Sequence, residues 1–271
     1  MRSNTFQLVN TPEIELWPAR LLSARSNHHA RLLARSDTVL RRKRDGRYLA
    51  TLAGGELVGL VPQWKRDAGV EAALAAVAAL HRPRRDAATG IRALATLPLD
   101  RLSAHLGRLG IGDEYGARTG LAIVAEPERL AFAGFDRYRR PLWMRADAAN
   151  AWRHMREAAH REGIVLESIS GYRSHDYQLG IFERKLARGL TVEQILTVNA
   201  APGYSEHHSG CALDIGTPGE PPAEESFEHT AAFAWLQRNA AAHGFHMSYP
   251  RDNPHGIVYE PWHWRYGVAA G

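Results

Sequence analysis

The sequence predicts an α+β protein whose central sheet is largely antiparallel. Helical and strand-like segments are mixed along the 271 residues, and the last two strand-like segments lie close enough in the chain to return as a hairpin. Sequence patterns that indicate secondary structure or functional motifs are sparse up to residue 122 and strong beyond it. We therefore expect a small mixed α/β N-terminal module over residues 1–122, followed by a second domain over residues 123–271 whose central sheet is flanked by helices.

The N-terminal module contains one hairpin pattern. Residues 48–52 alternate in polarity, the pair Gly54 and Gly55 favours a turn, and residues 57–61 continue as the second strand. Two alanine-rich runs in the same module predict helices, at residues 70–80 and 102–109. The stretch between these runs, residues 82–90, contains a proline and is predicted to be an exposed connection.

The second domain begins with a helix over residues 148–162. Asp147 can cap its N-terminus, and Gly163 ends it. The helix would bury one face, formed by Trp152, Met155 and Ala159. Residues 164–169 then predict a strand that leads into a turn at residues 171–174.

Further elements follow in close order. A helix over residues 175–188 is stopped by Gly189, and Thr191 with Gln194 makes a capping box for a short helix. Residues 211–215 are apolar enough for a central strand. The remaining predicted elements are a helix at residues 226–243 and terminal strands at residues 245–249 and 262–266.

Composition limits the class of protein. With 45% hydrophobic and 23% charged residues, the chain resembles a soluble globular protein. A single cysteine, Cys211, excludes an intramolecular disulfide and a cysteine-rich zinc site. We find no membrane-spanning segment and no signal peptide, so we expect a cytoplasmic protein, with export by a non-Sec route or release by phage lysis as alternatives.

Charge is unevenly distributed. Up to Gly120 there are 19 Lys and Arg against 11 Asp and Glu, whereas the rest of the chain carries 15 against 18. One interpretation is an ordinary solvated surface. The other is a basic module that contacts an anionic polymer such as cell wall, for which the best candidates are Arg41, Arg42, Lys43 and Arg44, and Arg82, Arg84 and Arg85. Neither cluster has interleaved aromatic residues, and we expect no nucleic-acid partner.

Two separated motifs supply groups that can bind a metal. His207 and Asp214 lie seven residues apart, and the small residues between them allow the backbone to fold tightly around an ion. Glu260 and His263 flank Pro261, which disfavours a helix and predicts a bend leading into a strand. Imidazole nitrogens and a carboxylate with a nearby base suit a hydrolytic zinc site. The alternative is that His263 is simply buried in an aromatic core edge formed by Trp262, Trp264 and Tyr266.

The order of the motifs resembles that of the LAS peptidases, a group that comprises lysostaphin, D-alanyl-D-alanine peptidases and the hedgehog signalling domain. The chain is most similar to the VanY-type D-alanyl-D-alanine carboxypeptidases. The resemblance covers roughly residues 124–271 and is carried by the turn at residues 170–174, by Gln178, and by the motifs at residues 205–214 and 260–266.

The resemblance implies a LAS/hedgehog-type catalytic domain that holds one zinc ion. By position, the ligands would be His207, Asp214 and His263, and Glu260 would be the catalytic base. The resemblance further implies that Arg173 stabilises the oxyanion or holds substrate, and that Gln178 and Ser205 line the peptide site. His208 departs from the family, which often has Gln there; we expect an exposed, tolerated residue, with a hydrogen-bond donor behind the ligands or a pH-sensitive substrate contact as alternatives.

These roles imply a zinc carboxypeptidase that removes the C-terminal D-amino acid from peptidoglycan stem peptides or muropeptides, through a zinc-bound water activated by Glu260. Alternatives of the same class are an L,D-carboxypeptidase of muropeptide recycling and a peptidoglycan endopeptidase or lysin. From another class comes a non-catalytic, zinc-containing binding module, against which the retained Glu260 argues.

Overall fold

The computed structural model describes residues 6–24, 26–80 and 95–267. Contacts divide the chain into two compact units, each described by itself below. The first comprises the residues up to 98 together with 126–130, and the second comprises residues 99–125 and those from 131 onward. The predicted connection at residues 82–90 and the basic cluster of Arg82, Arg84 and Arg85 lie outside the described residues.

Strands of the first unit form an antiparallel sheet in the order β5-β4-β3-β2-β1. The predicted hairpin is confirmed, and both glycines of its turn have a positive φ, which glycine adopts without steric cost. Three further strands were not predicted. The bounds are β1 Gln7–Asn10, β2 Ile14–Pro18, β3 Thr38–Arg42, β4 Tyr48–Ala53 and β5 Glu56–Gly59.

Two helices, α1 (Asn27–Leu33) and α2 (Val70–Leu80), accompany this sheet. The second confirms the predicted alanine-rich helix, and it packs on the apolar side of the strands through Val70, Ala73 and Val77. A small core results, which also contains Ile14, Leu16, Leu40, Leu49, Ala50, Leu52 and Trp64.

The basic cluster at residues 41–44 is largely engaged within the first unit. Arg41 pairs with Glu15, Arg42 with Asp45 and Asp67, and the buried ammonium of Lys43 lies 2.6 Å from Glu126. Arg44 Nη2 also lies 3.8 Å from Asp67, but its side chain is 67% exposed. Most of this charge therefore stabilises the unit.

Strands of the second unit form a hairpin and a four-stranded sheet. The hairpin joins β6 (Arg129–Phe135), whose first two residues belong to the first unit, to β7 (Pro141–Met144). The sheet has the order β10-β11-β9-β8 with antiparallel neighbours. Its strands are β8 Glu167–Ser170, β9 Ala212–Gly216, β10 Phe245–Met247 and β11 His263–Tyr266. The predicted α+β class with an antiparallel sheet is thus confirmed.

Helices pack around this sheet. The predicted apolar face of α5 (Ala146–Arg161) is confirmed, because Trp152, Met155 and Ala159 are fully buried. The helix starts at Ala146, so Asp147 lies in its first turn rather than at the cap, and its carboxylate accepts the Ala148 N–H. The capping box of Thr191 and Gln194 is present. The bounds are α3 Leu102–Arg108, α4 Glu114–Thr119, α5 Ala146–Arg161, α6 His175–Leu186, α7 Val192–Leu196 and α8 Ala231–Asn239.

The prediction of one continuous helix over residues 226–243 was wrong. Residues 225–229 and 240–243 form 3₁₀ turns, and only α8 between them is an α-helix. Thr230 is extended, and its hydroxyl accepts the Phe233 N–H, so the chain restarts as a capped helix at this point.

Residues 99–122, part of the predicted N-terminal module, belong to the second unit by their contacts. Leu102, Leu106, Tyr115 and Leu121 are buried in a cluster with residues 200–204, 249 and 257. The boundary at residue 122 as a division of function stays a prediction. Along the described residues, no helix is long and apolar enough to cross a membrane.

Candidate active site

Two strands of the second unit bring the separated motifs together. Residues 206–209 form a 3₁₀ turn that ends at Gly210, whose φ of 69° reverses the chain into β9. Asp214 on β9 pairs in register with His263, the first residue of β11. Because directly paired residues on antiparallel strands project to the same face, the sheet itself places this carboxylate beside this imidazole.

The three predicted ligands converge on one point. Donor atoms of His207, Asp214 and His263 all lie within 4.8 Å of one another, and all three residues are buried. Asp214 Oδ1 lies 3.2 Å from His207 Nε2 and 3.1 Å from His263 Nδ1. Two imidazole nitrogens and one carboxylate oxygen form the donor set of many catalytic zinc sites, so the residues present fit this metal.

His207 is held in a defined tautomer. Its Nδ1 lies 2.7 Å from the Gly171 carbonyl oxygen, which can only accept, so Nδ1 carries the proton. Burial and the neighbouring Arg173 cation lower the pKa of His207 to about 4. Nε2 therefore keeps its lone pair at neutral pH and is the atom that can bind a metal.

His263 lies between two carboxylates. Its Nδ1 faces Asp214, while its Nε2 lies 2.9 Å from Glu206 Oε2. Burial alone would lower the pKa of His263, but these two hydrogen bonds outweigh it and raise the pKa to about 10. Glu206 is fixed in turn by Arg265, whose Nη1 lies 3.3 Å from Oε1. A carboxylate on the far nitrogen of a ligand histidine orients the ring and increases its basicity.

Glu260 lies at the edge of the ligand cluster. As predicted, the chain bends after Pro261 and enters β11, with the His263 N–H donating to the Glu260 carbonyl. The Glu260 carboxylate lies 3.9 Å from His263 Nδ1. Burial, together with the charges of Asp214 and Glu206, raises the pKa of Glu260 to about 7. A carboxyl with this pKa can both accept and return a proton near neutral pH.

Arg173 follows β8 in the turn at residues 170–174. Its Nη2 donates to Asp214 Oδ2 at 2.5 Å and lies 2.7 Å from His207 Nε2, while its Nε donates to Ser170 Oγ. The guanidinium is thereby fixed against the ligand cluster. It can hold an anion there because the planar guanidinium donates two parallel hydrogen bonds to oxygen atoms.

The expectation that His208 is exposed was wrong. His208 is fully buried, its Nδ1–H donates to the Arg173 carbonyl oxygen, and its Nε2 accepts the Gly203 N–H. These two hydrogen bonds set the tautomer of His208. They match the alternative in which His208 is a hydrogen-bond donor behind the ligands. His208 thus ties the backbone of Arg173 to the turn at Gly203. His175 packs edge-on against it, with ring centroids 4.4 Å apart.

A cleft of about 290 Å³ opens beside the ligands. Gln178 and Ser205 both line it, as predicted, and both are buried. Gln178 donates to the Ala200 carbonyl, and its Oε1 has no hydrogen-bond partner within the described parts of the chain. The remaining lining includes Arg173, Lys185, Asn199, Tyr249, Glu260 and Trp262.

Sequence reasoning missed Glu206 and Lys185 as members of this site. A signal existed for both. Glu206 directly precedes a predicted ligand, and Lys185 lies seven residues after Gln178, which puts both side chains on one face of a helix. By contrast, the aromatic ring of Tyr249, 4.8 Å from that of His263, has no local sequence signal.

Comparison with known proteins finds that the part of the chain containing this site is similar to carboxypeptidases. A sequence model described as VanY, D-alanyl-D-alanine carboxypeptidase, matches residues 141–269. The putative carboxypeptidase YodJ of Bacillus subtilis (strain 168) is 40% identical over 129 residues, which cover 46% of each chain. The bifunctional D-Ala-D-Ala dipeptidase and D-Ala-D-Ala carboxypeptidase VanXYC of Enterococcus gallinarum is 30% identical over 52% of this chain and 75% of its own.

Among solved structures, that of the LdcB LD-carboxypeptidase shares 38% identity over 46% of this chain and 59% of its own, with a TM-score of 0.43. The match thus spans about half the length of YodJ and somewhat more of LdcB. All these similarities lie in about half of the present chain.

Proposed function

The chain belongs to the VanY family of D-alanyl-D-alanine carboxypeptidases, and from this premise we propose that it removes the C-terminal D-amino acid from peptidoglycan stem peptides with the help of one zinc ion. The observation that carries the proposal is the convergence of His207, Asp214 and His263 within 4.8 Å, with Glu260 beside them. The substrate class follows the name of the relative VanXYC, which acts on D-Ala-D-Ala.

His207 Nε2, a carboxylate oxygen of Asp214 and His263 Nδ1 would hold the ion. Zinc bound in such a site acts as a Lewis acid towards a peptide carbonyl and lowers the pKa of water to about 7. Binding of the ion at His263 Nδ1 would require release of the proton on that nitrogen, while Glu206 keeps the other proton on Nε2 and Nδ1 stays directed at Asp214. The orientation of the ring is thereby set before any metal binds.

Glu260 serves as the proton carrier. Its carboxylate accepts a proton from the attacking water and returns it to the nitrogen of the departing D-amino acid, so no net proton remains on the enzyme. Arg173 faces the negative charge that develops on the carbonyl oxygen, because its guanidinium is already fixed beside Asp214.

Substrate binding is assigned to the cleft walls. Gln178 Oε1 is a buried acceptor without a partner in the described chain, and a peptide N–H would satisfy it. Ser205 offers a hydroxyl on the same wall, and Trp262 offers an apolar face for a small side chain such as that of D-alanine.

Mass spectrometry of defined muropeptides incubated with the zinc-loaded protein tests this function. We expect loss of one D-alanine from a pentapeptide stem. Loss from a tetrapeptide instead would select the L,D-carboxypeptidase, and internal cleavage would select an endopeptidase or lysin. No cleavage of any of them would contradict the proposal and favour the non-catalytic binding module.

For the N-terminal module, contact with an anionic polymer stays a prediction of the sequence, as does the cytoplasmic location. The side chain of Arg44 is 67% exposed, against 22% or less for Arg41, Arg42 and Lys43, so Arg44 is the residue of that cluster most accessible to a polymer.

A further inference from the structure

Lys185 places a cation in the wall of the cleft. It lies on α6, two turns after Gln178, so that both side chains leave the same face of the helix. Both reach the segment that follows α7: Gln178 donates to the Ala200 carbonyl, and Lys185 donates to Asn199 Oδ1. All four residues line the same cleft as Glu260 and Arg173.

The Lys185 ammonium forms no ion pair with a carboxylate of the described residues. An ammonium group carries three N–H donors, and the hydrogen bond to Asn199 uses one of them. The Glu260 carboxylate lies in the same cleft without pairing with Lys185, and its charge acts on the ammonium. Burial lowers the pKa of Lys185, whereas the charge of Glu260 raises it, which agrees with its position near the reactive groups.

The other cation of the cleft is already engaged. Arg173 is bonded to Asp214 and lies against His207, so part of its donor capacity is used within the ligand cluster. A substrate that brings a second negative charge into this cleft therefore meets Lys185. The polar amide of Asn199 steadies the ammonium without neutralising it.

We propose that Lys185 binds the free carboxylate of the C-terminal residue of the substrate and thereby makes the site an exopeptidase. This inference rests on the function proposed above and adds to it the kind of substrate end that the cleft accepts. A chain that continued beyond the cleaved bond would present a neutral amide where the carboxylate lies, and Lys185 would remain without an anion.

Two peptides test the proposal in the zinc-loaded full chain. Both end in D-Ala-D-Ala, one with a free carboxylate and one with a carboxamide. We expect the protein to cleave the free acid with a kcat/KM about 10-fold to 100-fold higher, as for a hydrogen bond to a charged group. In Lys185→Met, kcat/KM for the free acid should fall to the value for the carboxamide, mainly through a higher KM. The kcat/KM for the carboxamide should stay unchanged.

Three controls sharpen the result. Arg188→Met removes an exposed cation that lies two residues after the end of the same helix and does not line the cleft, and it should keep the acid preference. Lys185→Arg should restore part of it. A third peptide has a free terminal carboxylate but amidated internal carboxyls, and it should be cleaved like the free acid.

Several outcomes would overturn the proposal. Equal cleavage of acid and carboxamide by the unaltered protein shows that no carboxylate is bound. An equal fall on both peptides in Lys185→Met shows a structural role. If the unaltered protein cleaves the internally amidated peptide more slowly than the free acid, and Lys185→Met removes that difference, Lys185 binds an internal carboxyl instead. Failure of the unaltered protein to cleave any peptide overturns the proposed function itself, and this inference with it.

Discussion

Glu206 shows how one carboxylate outside the ligand set can control the site. It accepts from His263 Nε2 and is held by Arg265, so the ring is fixed with Nδ1 towards Asp214. We predict that Glu206→Gln weakens zinc binding about 10-fold, because loss of such an outer partner typically costs about 10-fold to 100-fold in metal affinity. Competition against a chromogenic chelator measures the dissociation constant directly.

Glu162→Gln is the matched control, because this substitution removes the same charge from an exposed residue at the end of α5 that does not line the cleft. Its zinc affinity should equal that of the unaltered protein. If both variants bound zinc as tightly as the unaltered protein, Glu206 would have no part in setting the ligand geometry.

At the residue scale, the ligand set could be predicted because the order of two motifs carries it. The surroundings of each ligand could not. Whether His208 is exposed or buried depends on Arg173 and Gly203, which reach it only through the fold. Likewise, the contact between Glu206 and His263 joins residues 57 positions apart and requires β9 and β11 to pair.

At the scale of elements, α6 carries Gln178 and Lys185, and its position depends on α3. Asp176 at the start of α6 pairs with Arg101 at 2.9 Å and lies 3.3 Å from His105. Burial opposes the charge of Asp176, but these two partners outweigh it and lower the pKa of Asp176 from 3.8 to about 2. The pair between α3 and α6 is therefore a source of stability that depends on pH.

The direction of this dependence follows from the lowered pKa. A carboxyl whose pKa is lower in the folded state stabilises the fold fully at pH values above its pKa in the unfolded state. That stabilisation is lost as the pH falls through its pKa in the folded state. We predict that Asp176→Asn costs about 2 kcal/mol of unfolding free energy at pH 6, and that the difference from the unaltered protein shrinks between pH 4 and pH 2.

Urea unfolding followed by circular dichroism at each pH measures this difference. Asp113→Asn, which changes an exposed acid at the start of α4, should leave the unfolding free energy nearly unchanged. A cost of Asp176→Asn that stayed constant from pH 6 to pH 2 would contradict the assignment.

Elements with complete local signals were predictable. The hairpin at Gly54 and Gly55 and the capping box at Thr191 depend on neighbouring residues alone. The helix at residues 226–243 was predicted too long because Thr230 can either continue a helix or cap a new one, and local pattern does not decide between them. Strands β1, β2 and β3 are held by pairing with one another, which the sequence pattern did not reveal.

At the scale of the whole molecule, residues 99–122 matter to the unit that holds the site. This segment contributes four buried side chains to the apolar cluster described above, those of Leu102, Leu106, Tyr115 and Leu121. Burying each such side chain contributes about 1.5–3 kcal/mol. Their combined loss is comparable with the net stability of a whole domain, about 5–15 kcal/mol.

We therefore predict that a fragment of residues 99–271 folds cooperatively and that a fragment of residues 123–271 melts at a much lower temperature or does not fold. Differential scanning calorimetry of both fragments with and without zinc checks this. Equal melting temperatures would show that residues 99–122 are dispensable and would favour the domain boundary predicted from the sequence.

The two halves of the molecule differ in what their sequences reveal. Residues 123–271 carry chemistry in fixed motifs, so fold class and candidate site followed from the residues and their order. The first unit carries ion pairs such as Lys43 with Glu126, which stabilise it and indicate no reaction. Its function could not be predicted, because packing and pairing leave no sequence pattern specific to a ligand.

The most direct test of the account is turnover measured together with zinc content in Glu260→Gln. The variant keeps His207, Asp214 and His263, so we predict unchanged zinc content by atomic absorption. We also predict a fall of roughly 10²-fold to 10⁴-fold in release of D-alanine from a stem pentapeptide, since a Gln side chain cannot carry the proton. Release at the unaltered rate from the zinc-loaded variant would contradict the assignment of Glu260 and with it the proposed mechanism.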